Sequence, residues 1–372
     1  MKDIDALIAV RHPIGRASGL PNAHYMDVST FAEESQALLL GQWAGLGVAA
    51  QVPCPGDAVP ITFAGVPLFL LRDRDGDVRV FQNVCRHRGM ILVSEPTRIE
   101  GAIRCPYHSW CYSTQGRLVA TPHVGGPGRN SDPKLDTSDL GLIEVRSHIW
   151  RDVVFVNIDG TAPPFERANA EVIARWAEFD APLHHDGRAF SLDIACNWKL
   201  AVENYCESYH LPWVHPGLNA YSRLEDHYPI EGRGHAGQGT EVYRQLTDGP
   251  KRFPDFPGLA PKWDTAAEYI AVFPNVLLGT HRDHAFAIVL HPDGPSRTQE
   301  HIHIYYATEQ AEPDLADRNS AQWRGVFEED VFVVEGMQKG RAAPGFDGGR
   351  FSPAMDGPTH AFHMWVAQCL GA

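Results

Sequence analysis

Two short pairs, Cys85-x-His87 and Cys105-x-x-His108, stand seventeen residues apart in the segment NVCRHRGMILVSEPTRIEGAIRCPYHSW. Thiolate and imidazole are ligands for soft and borderline transition metals, and each arm carries one of each. A two-iron cluster with two Cys on one iron and two His on the other draws a matched ligand pair from two such arms. Its histidines raise the potential above that of an all-cysteine cluster. Cys₂His₂ also suits a tetrahedral structural zinc, but zinc modules usually pair like with like, C-x₂₋₄-C followed by H-x₃₋₅-H. The mixed arms therefore favour a Rieske-type [2Fe–2S] centre held by Cys85, His87, Cys105 and His108. Cys111, close behind the second arm, reads as a packed thiol.

A second constellation lies in NWKLAVENYCESYHLPWVHPGL, residues 197–218. Asn197 suits a helix N-cap, and Pro212 predicts a helix end just after His210. Glu203, Glu207 and His210, spaced four and three apart, then share one helical face, which sets Glu203 near any metal that His210 holds. His215 follows on the exit loop and can fold back beside His210. Two imidazoles and one carboxylate form the facial triad of non-haem Fe(II), with positions left open for O₂. The third ligand is sought in WRGVFEEDVFVVEGMQKG, where Trp323, Phe327, Val334 and Met337 form an apolar helical stripe. Asp330 falls on that stripe, where an unpartnered carboxylate is costly and a metal ion resolves the conflict. Glu329 is nearly as apolar in its surroundings, and periodicity does not separate the two.

The elements that must position these residues change character along the chain. Thr30 to Trp43 reads as a helix. From Val59 onward short strands and turns predominate: VPLFLLRDRDGDVRVFQN is a hairpin around Asp75-Gly76. Gly101–Arg104, Trp110–Ser113 and Arg117–Ala120 continue the meander, with Gln115-Gly116 turning the last pair. Both metal-binding arms thus fall in loops that leave strands. Val153–Ile158 is a further strand, and Pro163-Pro164 marks a domain boundary. Beyond it helices and strands mix, as in an α+β domain. Gly45-x-Gly47-x-x-Ala50 matches a dinucleotide fingerprint in letters only, because no strand precedes it and Pro53 and Pro55 follow. With no nicotinamide or flavin motif visible, electrons for the cluster are expected from another protein.

A net charge of −14 argues against nucleic acid or an anionic membrane as partner. The N-terminus, with charges at Lys2, Asp3 and Asp5, lacks the apolar core of a signal peptide, and no apolar run reaches membrane-spanning length. Seven scattered cysteines form no disulfide framework. These features together point to the cytoplasm.

The order of these motifs resembles that of the α subunits of Rieske non-haem iron oxygenases over nearly the whole chain. The resemblance implies an α+β fold: an all-β Rieske domain at 46–160 and a helix-grip-like catalytic domain with an antiparallel sheet and helices at 161–372. Residues 1–45 form a helical segment that packs on the latter. It implies two cofactors, the [2Fe–2S] cluster on Cys85, His87, Cys105 and His108 and a mononuclear Fe(II) on His210, His215 and Asp330; it selects Asp330 over Glu329. It implies a homo-oligomer, a head-to-tail trimer, in which Glu207 bridges one subunit's cluster to the next subunit's iron. A separate flavin/iron–sulfur reductase, with or without a ferredoxin, supplies the electrons. Many members have Asp where Glu207 stands. Glu there, and the ending GGRFSPAMDGPTHAFHMWVAQCL, resemble the branch of choline, glycine-betaine, carnitine and stachydrine oxygenases, with Asp356 and Thr359 as departures. The expected reaction is O₂-dependent hydroxylation or N-demethylation of a quaternary ammonium compound. The alternatives are ring hydroxylation or O-demethylation of an aromatic acid and, more remotely, an electron carrier or zinc module. The last pair leaves the second histidine constellation unexplained.

Tyr205, Tyr209, Trp213, Tyr221, Tyr228, Phe273 and Phe286 lie in segments expected around the iron, where an aromatic cage would attract a quaternary ammonium; most are expected to be plain core. Arg282 would suit a substrate carboxylate or simply the surface. The pairs His301/His303, His281/His284 and His360/His363 are assigned packing or surface roles.

Overall fold

The computed structural model describes residues 4–243 and 252–372, so Lys2 and Asp3 lie outside the described residues. The chain divides into two compact units, Leu46–Thr161 and Met1–Gly45 with Ala162–Ala372.

The 46–161 unit is built from ten short strands. β1 (Ala44–Val48) joins it to the preceding chain; β2 (Asp57–Phe63), β3 (Val66–Arg72), β4 (Val78–Gln82) and β5 (Thr97–Arg98) follow. β6 (Ile103–Arg104), β7 (Cys111–Tyr112), β8 (Leu118–Ala120), β9 (Arg146–Trp150) and β10 (Val153–Asn157) complete the set. They form three sheets, β4-β3-β2-β5, β6-β7-β8 and β1-β10-β9. The expected hairpins close through left-handed glycines, Gly76 at φ 97° and Gly116 at φ 80°, where a side chain would be strained. Phe69, Phe81, Trp110 and Tyr112 pack in one core with Cys85 and Cys105.

The larger unit is organised on one antiparallel sheet. Its strands are β11 (His184–Ile194), β12 (His227–Gly232), β13 (His235–Thr240), β14 (Ala267–Val272), β15 (Val276–Thr280), β16 (His284–Pro292) and β17 (Thr298–Tyr306), in the order β11-β17-β16-β15-β14-β13-β12. Four helices matter for the site: α1 (Trp198–Cys206), α2 (Leu211–Val214), α3 (Pro313–Gly340) and α4 (Gly357–Cys369). α1 lies against β13, β14 and β16, while α3 contacts α1 and β11. In β17 the even positions Ile302, Ile304 and Tyr306 are fully buried, and the Tyr306 hydroxyl donates to Ala316 O of α3 at 3.3 Å. Period-2 alternation therefore turns Glu300 to the helix side of the sheet as well. His301 and His303 occupy the opposite face.

Two expected helices end early. The first runs from Val28 to Glu34, widens into a π-type turn over Ser35–Leu40, and stops before Trp43. The second ends at Cys206, because Glu207 takes an extended conformation (φ −125°, ψ 159°). Pro212 sits in the first turn of α2 and starts that helix, as its fixed φ and missing N–H allow.

Candidate metal centres

In the 46–161 unit the two arms adopt the same backbone turn. Cys85 N donates to Met90 O and Gly89 N to Cys85 O; Cys105 N donates to Trp110 O and Ser109 N to Cys105 O. Gly89 (φ 74°) and Ser109 (φ 59°) take the left-handed conformation at equivalent places, and the serine accepts a strain that glycine avoids. The Cys85 and Cys105 thiols are buried. Burial is the main cause that raises the Cys105 pKa, and its interaction with Cys85 adds to the rise. The rings of His87 and His108 lie 4.7 Å apart, and Trp110 stacks on His87 at 4.6 Å. His108 Nδ1 is buried with no hydrogen-bond partner. Such an orphaned nitrogen beside two buried thiols suits metal ligation, so these residues fit a His/Cys-ligated two-iron cluster. The Tyr112 hydroxyl lies 3.3 Å from Cys85 Sγ and accepts the Arg86 N–H at 3.0 Å.

The other centre is assembled from three elements of the larger unit. The turn after α1 gives His210, the end of α2 gives His215, and α3 gives Asp330. Among the described residues, these are the one group whose three ligand atoms all lie within 4.8 Å of one another. Asp330 Oδ1 is 3.0 Å from His215 Nε2 and 3.7 Å from His210 Nε2.

Each ring is oriented from behind by a carboxylate. Glu207 Oε1 lies 2.7 Å from His210 Nδ1, and Glu329 Oε2 lies 2.7 Å from His215 Nδ1. An ionised carboxylate only accepts, so each Nδ1 carries the proton and each Nε2 presents a lone pair to the common point. In His215 that lone pair faces a carboxylate oxygen, a contact that needs a cation between them. Burial disfavours a charged His215, but Asp330 and Glu329 outweigh it and raise its pKa. A divalent metal satisfies the same contact without the proton. The residues fit a mononuclear ion with two nitrogen ligands and one oxygen.

Glu207 lies off the helix axis, and its Oε2 accepts the N–H groups of Tyr209 and His210, which is why α1 stops there. Glu203 remains on α1 and is directed elsewhere. It accepts the Tyr25 hydroxyl and lies 3.2 Å from His363 and 3.8 Å from Arg341, so it belongs to a buried ion network rather than to the metal ligands. Glu329, weighed in the sequence only as a rival ligand, is instead the partner of His215.

Tyr205 and Phe286 line the cavity at the triad together with Tyr269, Trp323 and Phe327. Tyr269 was not expected. Trp213 is 70% exposed, Tyr228 donates to Glu268 at 2.9 Å, and Phe273 packs on Phe362. Arg282 lies 3.5 Å from Asp255 and does not line the cavity. The other histidine pairs are held locally: His301 by Ser191, His303 by His185, His281 stacked on His284, and His360 by Val10 O. A smaller cavity shares Asn204, Tyr205, Phe327 and Asp330 with the first and also reaches Glu300. Burial, then the Asp330 charge, push the Glu300 carboxyl up to about 8. Among the described residues, no Lys or Arg lines either cavity.

Comparison with known proteins matches residues 183–372 to the ring-hydroxylating alpha subunit catalytic domain and residues 42–135 to the Rieske [2Fe–2S] domain. The chain is 26% identical to the chloroplastic choline monooxygenase of Spinacia oleracea over 94% of this chain and 78% of that enzyme. It is 28% identical to the putrescine 2-hydroxylase of Ralstonia nicotianae over 94% of this chain and 95% of that one. The solved structure of the quaternary ammonium Rieske monooxygenase CntA with L-carnitine superposes with a TM-score of 0.79 at 23% identity, covering 98% of each chain.

Proposed function

The chain belongs to the ring-hydroxylating alpha subunit family, and from that premise we propose that it is the terminal oxygenase of a Rieske-type system acting on a small quaternary ammonium or related organic cation. The observation that carries the reading is the convergence of His210 Nε2, His215 Nε2 and Asp330 Oδ1 on an aromatic-lined cavity. Cys85, His87, Cys105 and His108 hold the cluster. His210, His215 and Asp330 hold the iron.

When bound, the two centres supply electrons and O₂ activation at one open coordination face. The balanced outcome is R–H plus O₂, two electrons and two protons giving R–OH and water. If the carbon is an N-methyl group, the resulting N–CH₂OH loses formaldehyde. The protein's part is to orient and to exclude water. Glu207 and Glu329 hold the imidazole rings by their Nδ1 protons, while Tyr205, Tyr269, Phe286, Trp323 and Phe327 form a dry wall whose π faces attract a cation. The aromatic and acidic lining of these cavities, with Asp330 on both and Glu300 on the smaller, favours a cationic group over an anionic one.

Residues 46–160 serve as the electron-receiving domain and 161–372 as the oxygenating one, with 1–45 packed on the latter. Electrons come from a reductase. A head-to-tail homotrimer would let Glu207 join His210 to His108 of the partner subunit, a heterologous contact that closes as a ring. The five cysteines outside the cluster are free thiols, which suits the cytoplasm.

Oxygen uptake with a reductase over a panel of choline, carnitine, γ-butyrobetaine, putrescine and an aromatic acid tests the substrate class. Product formed in proportion to O₂ with one or more of the cations is the expected result. Turnover confined to the aromatic acid overturns it.

A further inference from the structure

We propose that Glu300 is the anchor for the substrate's positive charge, in the smaller cavity that adjoins the one at the triad. The inference rests on the reading of the substrate as a small organic cation and names the residue that selects it.

Three observations support it. Glu300 sits on the helix-facing side of β17, in register with Leu192 of β11 and Leu290 of β16, on the same face as the buried Ile302 and Ile304. A charged group at such a position is costly unless something pairs with it. Among the described residues nothing does: no hydrogen bond and no ion pair reaches its carboxyl group, so the group stays neutral until a cation stands beside it.

The second observation is where it faces. The cavity it lines is otherwise walled by apolar groups such as Leu277, Ile288 and Val334, and it meets the cavity at the triad along Asn204, Tyr205, Phe327 and Asp330. Asp330 therefore borders both halves. Movement of the shared Tyr205 and Phe327 side chains would join the two cavities, so that a bound molecule presents its carbon to the triad and its nitrogen to Glu300.

The third is what the walls offer a cation besides charge. Tyr205 and Phe327 line both cavities and supply aromatic rings of the kind that stabilise ammonium groups, and the buried Tyr205 hydroxyl also has no partner. A neutral glutamic acid buried in a core would explain the isolation of Glu300 but not its place on a cavity that borders an iron ligand.

Anaerobic calorimetry on the metal-loaded protein tests this, with choline and its uncharged isostere 3,3-dimethylbutan-1-ol as probes. The wild type is expected to bind choline about tenfold or more tighter than the isostere, and Glu300→Gln to reduce that preference several-fold by weakening choline alone, the aromatic walls keeping the remainder. Iron content and the cluster's visible spectrum should be unchanged in the variant. If Glu300→Gln does not accumulate as folded protein, Glu300→Asp carries the test, since withdrawing the charge by one carbon should weaken choline and spare the isostere. A preference that is undiminished in the variant overturns the inference while leaving the cationic-substrate reading intact. Equal binding of both probes by the wild type overturns that reading and the inference with it.

Discussion

In the 46–161 unit the four donors hang from two copies of one backbone turn, Cys85–Met90 and Cys105–Trp110, whereas the three donors of the other unit come from two helices and a loop and are aimed by side chains. The first arrangement is local: main-chain hydrogen bonds and two left-handed residues place each thiol and ring before any long-range packing is needed. The second is not, because Asp330 lies 120 residues beyond His210 in the sequence and both imidazoles depend on a carboxylate behind them. A cluster carried by backbone turns should tolerate side-chain changes around it. A triad carried by side chains should not.

Removing the aiming carboxylates gives the larger effect. Glu329→Gln, and separately Glu207→Gln, should lower product formation by roughly 10- to 100-fold while leaving the cluster's visible absorption unchanged. Glu207→Gln should in addition retain both metals and slow single-turnover oxidation of the reduced cluster, because its carboxylate is also the proposed path between centres. Unchanged rates in both variants would erase the contrast. The smaller effect is on the cluster side. The Tyr112 hydroxyl approaches Cys85 Sγ, and hydrogen bonds to cluster sulfurs raise the potential. Tyr112→Phe should therefore lower it by about 1 kcal/mol, roughly 40 mV, in a redox titration, with the cluster still assembled. A shift to higher potential would mean that the hydroxyl does not donate to the sulfur.

The same contrast explains what the sequence disclosed. The Cys/His arms were legible because their spacing is their geometry. His210 and His215 were legible as a pair, but the helix around them was not: periodicity extended it to His210, while in the fold the Glu207 carboxylate takes the N–H groups of Tyr209 and His210 and the chain leaves the helix early. That same break separates Glu203 from the metal ligands. Glu329 and Asp330 are neighbours in sequence and were hard to rank by surroundings alone. Side-chain length divides their work, with the shorter one facing Nε2 of His215 and the longer one reaching its Nδ1. The cavity walls were the least legible part, since Tyr269 lies on β14, far along the chain from the histidines, and only the packing of α1 against that strand brings it in. Glu300 did leave a signal. In TQEHIHIYY it alternates with Ile302 and Ile304, an acid in phase with the apolar face.

The most direct test of two independent centres is iron and acid-labile sulfide content in two variants. His215→Ala should lose the mononuclear iron alone, keeping the two cluster irons, the sulfide and the visible spectrum. Cys105→Ser should lose sulfide and spectrum while the mononuclear iron stays. Loss of the same metal from both variants, or zinc in place of iron at the cysteine arms, would contradict the account.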